Sequence, residues 1–281
     1  MMFLLAAINA KYIHSNPAVY NLRAFAKEHV PEANVEIGEY TINHQMEQIL
    51  QDIFRRKPDF VGFSCYIWNI SHVLDLVRDL HKVLPDCAIW LGGPEVSYDA
   101  VQMLEREPEV TGIMRGEGEL TFAEVVKAYE MSGAAPELSQ IAGITYRGQA
   151  GEIRENMPQR LLSMDEVPFY YGDMSDFENR IVYYESSRGC PFSCSYCLSS
   201  IDKSVRFRSL DKVKQELNFF LEHRVPQVKF VDRTFNCRKE LTMGIWQHIL
   251  DHDNGITNFH FEVSADLFDE DELALIGKMR P

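Results

Sequence analysis

The chain has no apolar run approaching the roughly 20 residues needed to cross a bilayer. Its opening, "MMFLLAAI", has no charged leader and soon meets "NAKYIHSN", so it is also too short for a signal peptide. Positive charge is scarce: 28 Lys and Arg stand against 42 Asp and Glu, a net charge of -14. That balance argues against a general nucleic-acid or anionic-membrane surface, because both need a cationic face. Internal repeats, low-complexity tracts, a P-loop and a GxGxxG fingerprint are all missing. The expected address is therefore the cytoplasm, with no membrane span and no nucleic-acid partner. Thiols stay reduced there, so clustered cysteines point to metal binding or catalysis before disulfides.

What is present is an ordinary globular composition, 46% hydrophobic over 281 residues, enough for two modest domains or one large one. The first half alternates strand and helix patterns. "MFLLAAI" (2–8), "VEIGEY" (35–40), "DFVGFSC" (59–65), "CAIWLGG" (87–93) and "VTGIM" (110–114) have strand character. Between them lie helical patterns. "SNPAVYNLRAFAKEH" is capped by Ser15 or Asn16, and Val73, Leu76, Val77, Leu80, Val83 and Leu84 form an apolar stripe that stops at Pro85. Such alternation predicts an α/β, doubly wound, flavodoxin- or Rossmann-like domain over residues 1–135, with a parallel sheet. Ligands of such sheets bind beyond the carboxyl ends of the strands, here "NAKYIHSN", "SCYIWN", "GGPEVS" and "RGEGE". The glycines there also suit plain tight turns.

Residues 136–179 read as a hairpin around Gly148–Gly151, then a linker broken by Pro158 and Pro168 and carrying Phe169, Tyr170 and Tyr171. From 180 to 281 βα repetition returns. "RIVYYESS", "QVKFVD" and "NFHFEVSAD" are strands, each followed by an amphipathic helix. Three units are too few to close a (β/α) barrel, so the expectation is its N-terminal half only, in a fragment or a chain completed by another.

The loop after the first of those strands, "ESSRGCPFSCSYCLSS", holds Cys190, Cys194 and Cys197. A structural zinc site closes with four protein ligands, and no fourth cysteine or histidine lies nearby. Three thiolates can hold three irons of a four-iron–four-sulfur (4Fe-4S) cluster and leave one iron open. The competing reading is a zinc knuckle with a remote fourth ligand such as His223 or Cys237. Cys65 and Cys87, on apolar strands, are expected as small core residues.

"CPFSCSYC" matches the CxxxCxxC signature of the radical S-adenosylmethionine (radical SAM) superfamily, including the aromatic Tyr196 before the last cysteine. The N-terminal half, with "GGPEVS" and "RGEGELTFAEVV", resembles the cobalamin-binding domain preceding the barrel in one class of these enzymes. "VKFVDRTFN" and "FHFEVSAD" resemble that class's second and third barrel strands. The resemblance implies three cofactors: a 4Fe-4S cluster on Cys190, Cys194 and Cys197, S-adenosylmethionine on the open iron, and cobalamin. It also implies reductive cleavage to a 5′-deoxyadenosyl radical, hydrogen abstraction and methylation of an unactivated carbon. A small-molecule or peptide substrate and an electron donor of flavodoxin or ferredoxin type would be the partners.

By position, the resemblance puts Tyr196 near adenine and makes Glu262 and Ser264 contacts of the ribose or methionine part. It has Asp232 and Asn236 line the same cavity. Ser64, Gly92 and Gly93 would receive the nucleotide tail of cobalamin, being small residues at inner strand ends, with Tyr66, Trp68 and Glu117 facing the corrin. The DxHxxG motif of cobalamin mutases is missing and His14 is out of place for it, so cobalt is expected without a protein histidine ligand. Cyclisation or rearrangement chemistry, and a non-catalytic cobalamin- or metal-binding fragment, are the alternatives.

Overall fold

The computed structural model describes residues 1–172, 174–201 and 204–280, with Ser200 lacking a described side chain. Asp173, Asp202, Lys203 and Pro281 lie outside the described residues. The chain forms two compact units, Met1–Leu162 and Ser163–Pro281.

The first unit runs β1 (Met2–Asn9), α1 (Pro17–His29), β2 (Asn34–Thr41), α2 (Met46–Arg56), β3 (Phe60–Ser64), α3 (Ile70–Val83), β4 (Ala88–Gly92), α4 (Ala100–Arg106), β5 (Gly112–Met114), α5 (Glu119–Ser132), β6 (Ile144–Arg147) and β7 (Ile153–Glu155). Its sheet has the order β2-β1-β3-β4-β5-β6-β7. The first five strands are parallel, in the flavodoxin-like order, as the alternation predicts.

Parallel strands are covered on both faces, which is why β1 is apolar throughout rather than alternating. Leu4, Ala6 and Ile8 face a core shared with Ile49 and Ile53 of α2 and Val73, Leu76, Val77 and Leu80 of α3. On the other face, Phe3, Phe60, Trp90, Phe122 and Tyr129 pack ring against ring, and the Trp90 indole N–H donates to the Tyr129 hydroxyl at 3.1 Å.

Two features differ from the sequence expectation. Helix α4 is only seven residues long, too short to show a sustained period. The hairpin β6–β7 joins the same sheet, antiparallel to β5, so the sheet is mixed. The first unit therefore extends past residue 135. Pairing with β5 buries Ile144 and Thr145 completely, which makes the hairpin part of this core.

The second unit contains β8 (Val182–Tyr184), β9 (Ser187–Arg188), β10 (Arg206–Phe207), α6 (Leu210–Glu222), β11 (Gln227–Phe230), α7 (Lys239–Asp251), β12 (Asn258–His260) and α8 (Glu270–Ile276). Strands β8, β11 and β12 are adjacent and parallel, the opening of a βα series. The linker aromatics belong to this unit. Phe169 packs on Phe219 and Phe220, and the Tyr171 hydroxyl donates to the Tyr183 carbonyl and accepts from its N–H.

Beneath β8 lies a buried polar triad. The Arg208 guanidinium donates to Glu216 at 2.8 Å and to the Val167 carbonyl at 3.1 Å, and the Tyr184 hydroxyl donates to the other Glu216 oxygen at 2.6 Å. Burial pushes the Glu216 carboxyl above the usual carboxylate range, and the guanidinium opposes that shift. Removing one member of a buried pair leaves an uncompensated charge. Arg208→Met should therefore lower stability by about 3–5 kcal/mol in urea unfolding, and Arg208→Met with Glu216→Leu should recover much of that loss.

Candidate functional site

Because the five parallel strands of the first unit run the same way, their carboxyl-end loops share one edge. Tyr12, Ile13, Ile67, Trp68 and Tyr98 are large apolar residues left exposed on those loops, Ile67 at 79%. Tyr66 and Trp68 stack with ring centres 4.4 Å apart and planes 7° from parallel, and the Trp68 indole N–H donates to the Ile8 carbonyl at 3.3 Å. An apolar, aromatic rim of this kind suits the flank of a large planar ligand.

The rim is held from below by Asn69, which is fully buried. Its amide N–H group donates to the carbonyls of Ile8 and Ser64 at 3.0 and 2.9 Å, and its oxygen accepts from the Tyr66 N–H at 2.7 Å. The residue thus ties the end of β1 to the end of β3. Sequence reasoning named its neighbours Tyr66 and Trp68 and missed Asn69. Ser64 is half-buried at the end of β3, and Glu117 is half-buried in the loop after β5.

The two glycines ending β4 have different reasons to be glycine. Gly93 has φ +107°, and a Cβ there would lie 2.6 Å from the Cys65 carbonyl oxygen. The loops after β3 and β4 cross at that point, where the Cys65 N–H donates to Gly92 and its carbonyl accepts from Glu95. At Gly92 the nearest atom would be 3.6 Å away, an ordinary contact, so no protein atom requires glycine. Cys65 and Cys87 are core residues, as expected, and burial pushes both thiols up to about 12.

In the second unit the cysteine loop is clasped at its base. Arg188 and Ser187 pair antiparallel with Arg206 and Phe207, and Gly189 (φ +98°) turns where a Cβ would strike the Ser204 carbonyl. Behind the clasp sits Asp232, 1% exposed. It accepts from the Ser186 N–H at 3.0 Å, the Ser186 hydroxyl at 2.6 Å and the Ser187 hydroxyl at 2.5 Å. Desolvation pushes its carboxyl above the usual range, and the serine hydrogen bonds oppose that shift. Asp232 was expected to line the cofactor cavity. Its carboxylate holds the two serines that lead into the loop.

None of the six cysteines is in a disulfide. Cys194 is exposed, while Cys190 and Cys197 are half-buried. The Cys197 N–H donates to the Cys194 carbonyl at 3.1 Å in a tight turn, and Cys190 Sγ lies 3.5 Å from Thr234 Oγ1. Tyr196 is 91% exposed. Among the described residues no three His, Cys, Asp or Glu side chains converge as a metal site. Asn236 and Ser264 do come together: the Asn236 side chain donates to the Ser264 carbonyl at 2.9 Å and accepts from its N–H at 2.8 Å. The Ser264 hydroxyl donates to Asp266, and Glu262 pairs with Lys229 at 3.2 Å.

Residues 4–126 match the B12 binding domain family. The cobalamin-dependent radical SAM methyltransferase TokK of Streptomyces tokunonensis is 26% identical over 191 residues, 64% of this chain and 28% of its own length. The chain is similar to cobalamin-dependent radical SAM enzymes. A second relative is the uncharacterized methyltransferase PH0819 of Pyrococcus horikoshii, 28% identical over 198 residues, 67% of this chain. OxsB, a cobalamin-dependent S-adenosylmethionine radical enzyme solved with aqua-cobalamin and S-adenosylmethionine, shares the fold with TM-score 0.77 at 21% identity. That match covers 99% of this chain. The chain spans 42% of the length of PH0819 and 42% of OxsB.

The residues present fit the cofactors named for these similar proteins, cobalamin and an iron–sulfur cluster. The first unit offers an aromatic rim, the Ser64 hydroxyl and room at Gly92 for a corrinoid. The second offers three cysteines on one loop outside any disulfide, the donor type iron–sulfur clusters take. No described helix is long and apolar enough to cross a membrane. Gly93→Ala should cost about 1–3 kcal/mol in urea unfolding through strain at positive φ and overlap with Cys65, whereas Gly92→Ala should stay within about 0.5 kcal/mol of the parent.

Proposed function

We propose that this protein is the cobalamin-binding and cluster-bearing part of a radical SAM methyltransferase acting on an unactivated carbon. The observation that carries this reading is the coexistence, in one chain, of a B12-binding domain and a clasped loop holding Cys190, Cys194 and Cys197. The name of TokK, a cobalamin-dependent radical SAM methyltransferase, supports methyl transfer as the outcome.

In this reading the three cysteine thiolates hold a 4Fe-4S cluster. The cofactors, when bound, supply one-electron cleavage of S-adenosylmethionine to a 5′-deoxyadenosyl radical and transfer of a methyl group. The chain's own residues supply position. Asp232 fixes Ser186 and Ser187, so the peptide leading to Cys190 has one course. Asn236 fixes the backbone of Ser264 beyond β12. Tyr196, Glu262 and Ser264 are assigned to S-adenosylmethionine by their places on the motif. Ser64, Gly92 and Gly93 are assigned to the cobalamin tail, and Tyr66, Trp68 and Glu117 to the corrin side. A flavodoxin- or ferredoxin-type protein would deliver the electron.

Anaerobic reconstitution with iron and sulfide tests the reading. The expected result is about four irons and four sulfides per chain, with release of 5′-deoxyadenosine on adding dithionite and S-adenosylmethionine. Cys194→Ala should abolish both. Stoichiometric zinc without acid-labile sulfide would sink the cluster assignment.

A further inference from the structure

Asn16 caps α1 and is buried at 5% exposure. Its side-chain oxygen accepts from the Ala18 N–H at 3.2 Å. A backbone N–H can only donate, so the amide oxygen must face the helix and the NH2 group must face the other way. That group lies 3.0 Å from the Ser64 hydroxyl oxygen and donates to it. An amide NH2 accepts nothing, so Ser64 cannot give its own proton back to Asn16. Among the described residues no side chain or carbonyl accepts that proton.

The arrangement is rigid. The Asn16 backbone N–H donates to Glu39 Oε1 at 3.1 Å, and Asn9 Nδ2 donates to the same oxygen at 3.0 Å. The Tyr20 hydroxyl donates to Glu39 Oε2 at 2.7 Å, and Asn9 Nδ2 also reaches the His14 carbonyl at 3.0 Å. One carboxylate therefore clamps both ends of the loop between β1 and α1, and with them the cap that orients the Asn16 amide.

We infer that Asn16 is a positioning residue that sets the polarity of the Ser64 hydroxyl, making it a hydrogen-bond donor to the nucleotide tail of cobalamin. The inference rests on the cobalamin reading above and adds to it a residue that acts only through Ser64. It makes recognition of the tail depend on an acceptor atom there, while the corrin ring is held independently.

Binding of hydroxocobalamin and of dicyanocobinamide, which lacks the nucleotide tail, separates the two. Asn16→Asp keeps an oxygen for the Ala18 N–H but presents a carboxylate oxygen that takes the Ser64 proton. It should weaken cobalamin about tenfold or more, the loss of one hydrogen bond of roughly 1.4 kcal/mol, and leave cobinamide unchanged. Asn16→Ser keeps a cap without adding charge and should give a smaller loss, again for cobalamin alone. In a Ser64→Ala background neither change at position 16 should weaken cobalamin further. Cobalamin binding equal to the parent in both Asn16 variants, or equal losses for both corrinoids, would overturn the inference while the cobalamin reading stands. A parent protein that binds neither corrinoid would overturn the cobalamin reading itself.

Discussion

Parallel strands must be joined by crossovers and covered on both faces, and that constraint arranges everything else in this chain. With both faces of β1, β3 and β4 given to core packing, polar residues with chemical roles can only gather where the strands end. In the first unit those ends carry Ser64, Gly92, Gly93 and the Tyr66–Trp68 stack. In the second, β8, β11 and β12 again run in parallel, and the cysteine loop follows the first of them.

The loops at those edges have at most a two-residue ladder of their own, and polar side chains do the rest of the work a ladder would do. Glu39 gathers Asn9, Asn16 and Tyr20 in the first unit. Asp232 gathers Ser186 and Ser187 in the second, and Asn236 does the same for Ser264. A buried carboxylate such as Asp232 is costly unless its oxygens are satisfied, and once satisfied it leaves the attached backbone few alternatives. Each case converts an otherwise adaptable loop into a fixed platform.

The glycines illustrate how alike two residues look in sequence and how differently they behave in the fold. "GG" at 92–93 suggested two small residues making room for a ligand. In the fold Gly93 is required by the Cys65 backbone crossing above it, while Gly92 has no such neighbour. Asp232 and Asn236 both follow one strand of the second unit. Both are buried, with their hydrogen-bonding capacity turned toward the chain.

The sequence by itself determined what is local. Apolar periodicity marked the long helices, uninterrupted apolar runs marked the covered parallel strands, and the spacing of Cys190, Cys194 and Cys197 marked a loop built for three thiols. It missed the seven-residue α4 and the pairing of the hairpin with β5, because neither leaves a periodic trace of its own. Tertiary structure alone decided the partners of the buried polar groups. Asn16 meets Ser64 across 48 positions and Ser186 meets Asp232 across 46, separations that no local pattern records. Those contacts exist because strand order brings distant loops to one edge, and burial then selects the side chains that can satisfy one another.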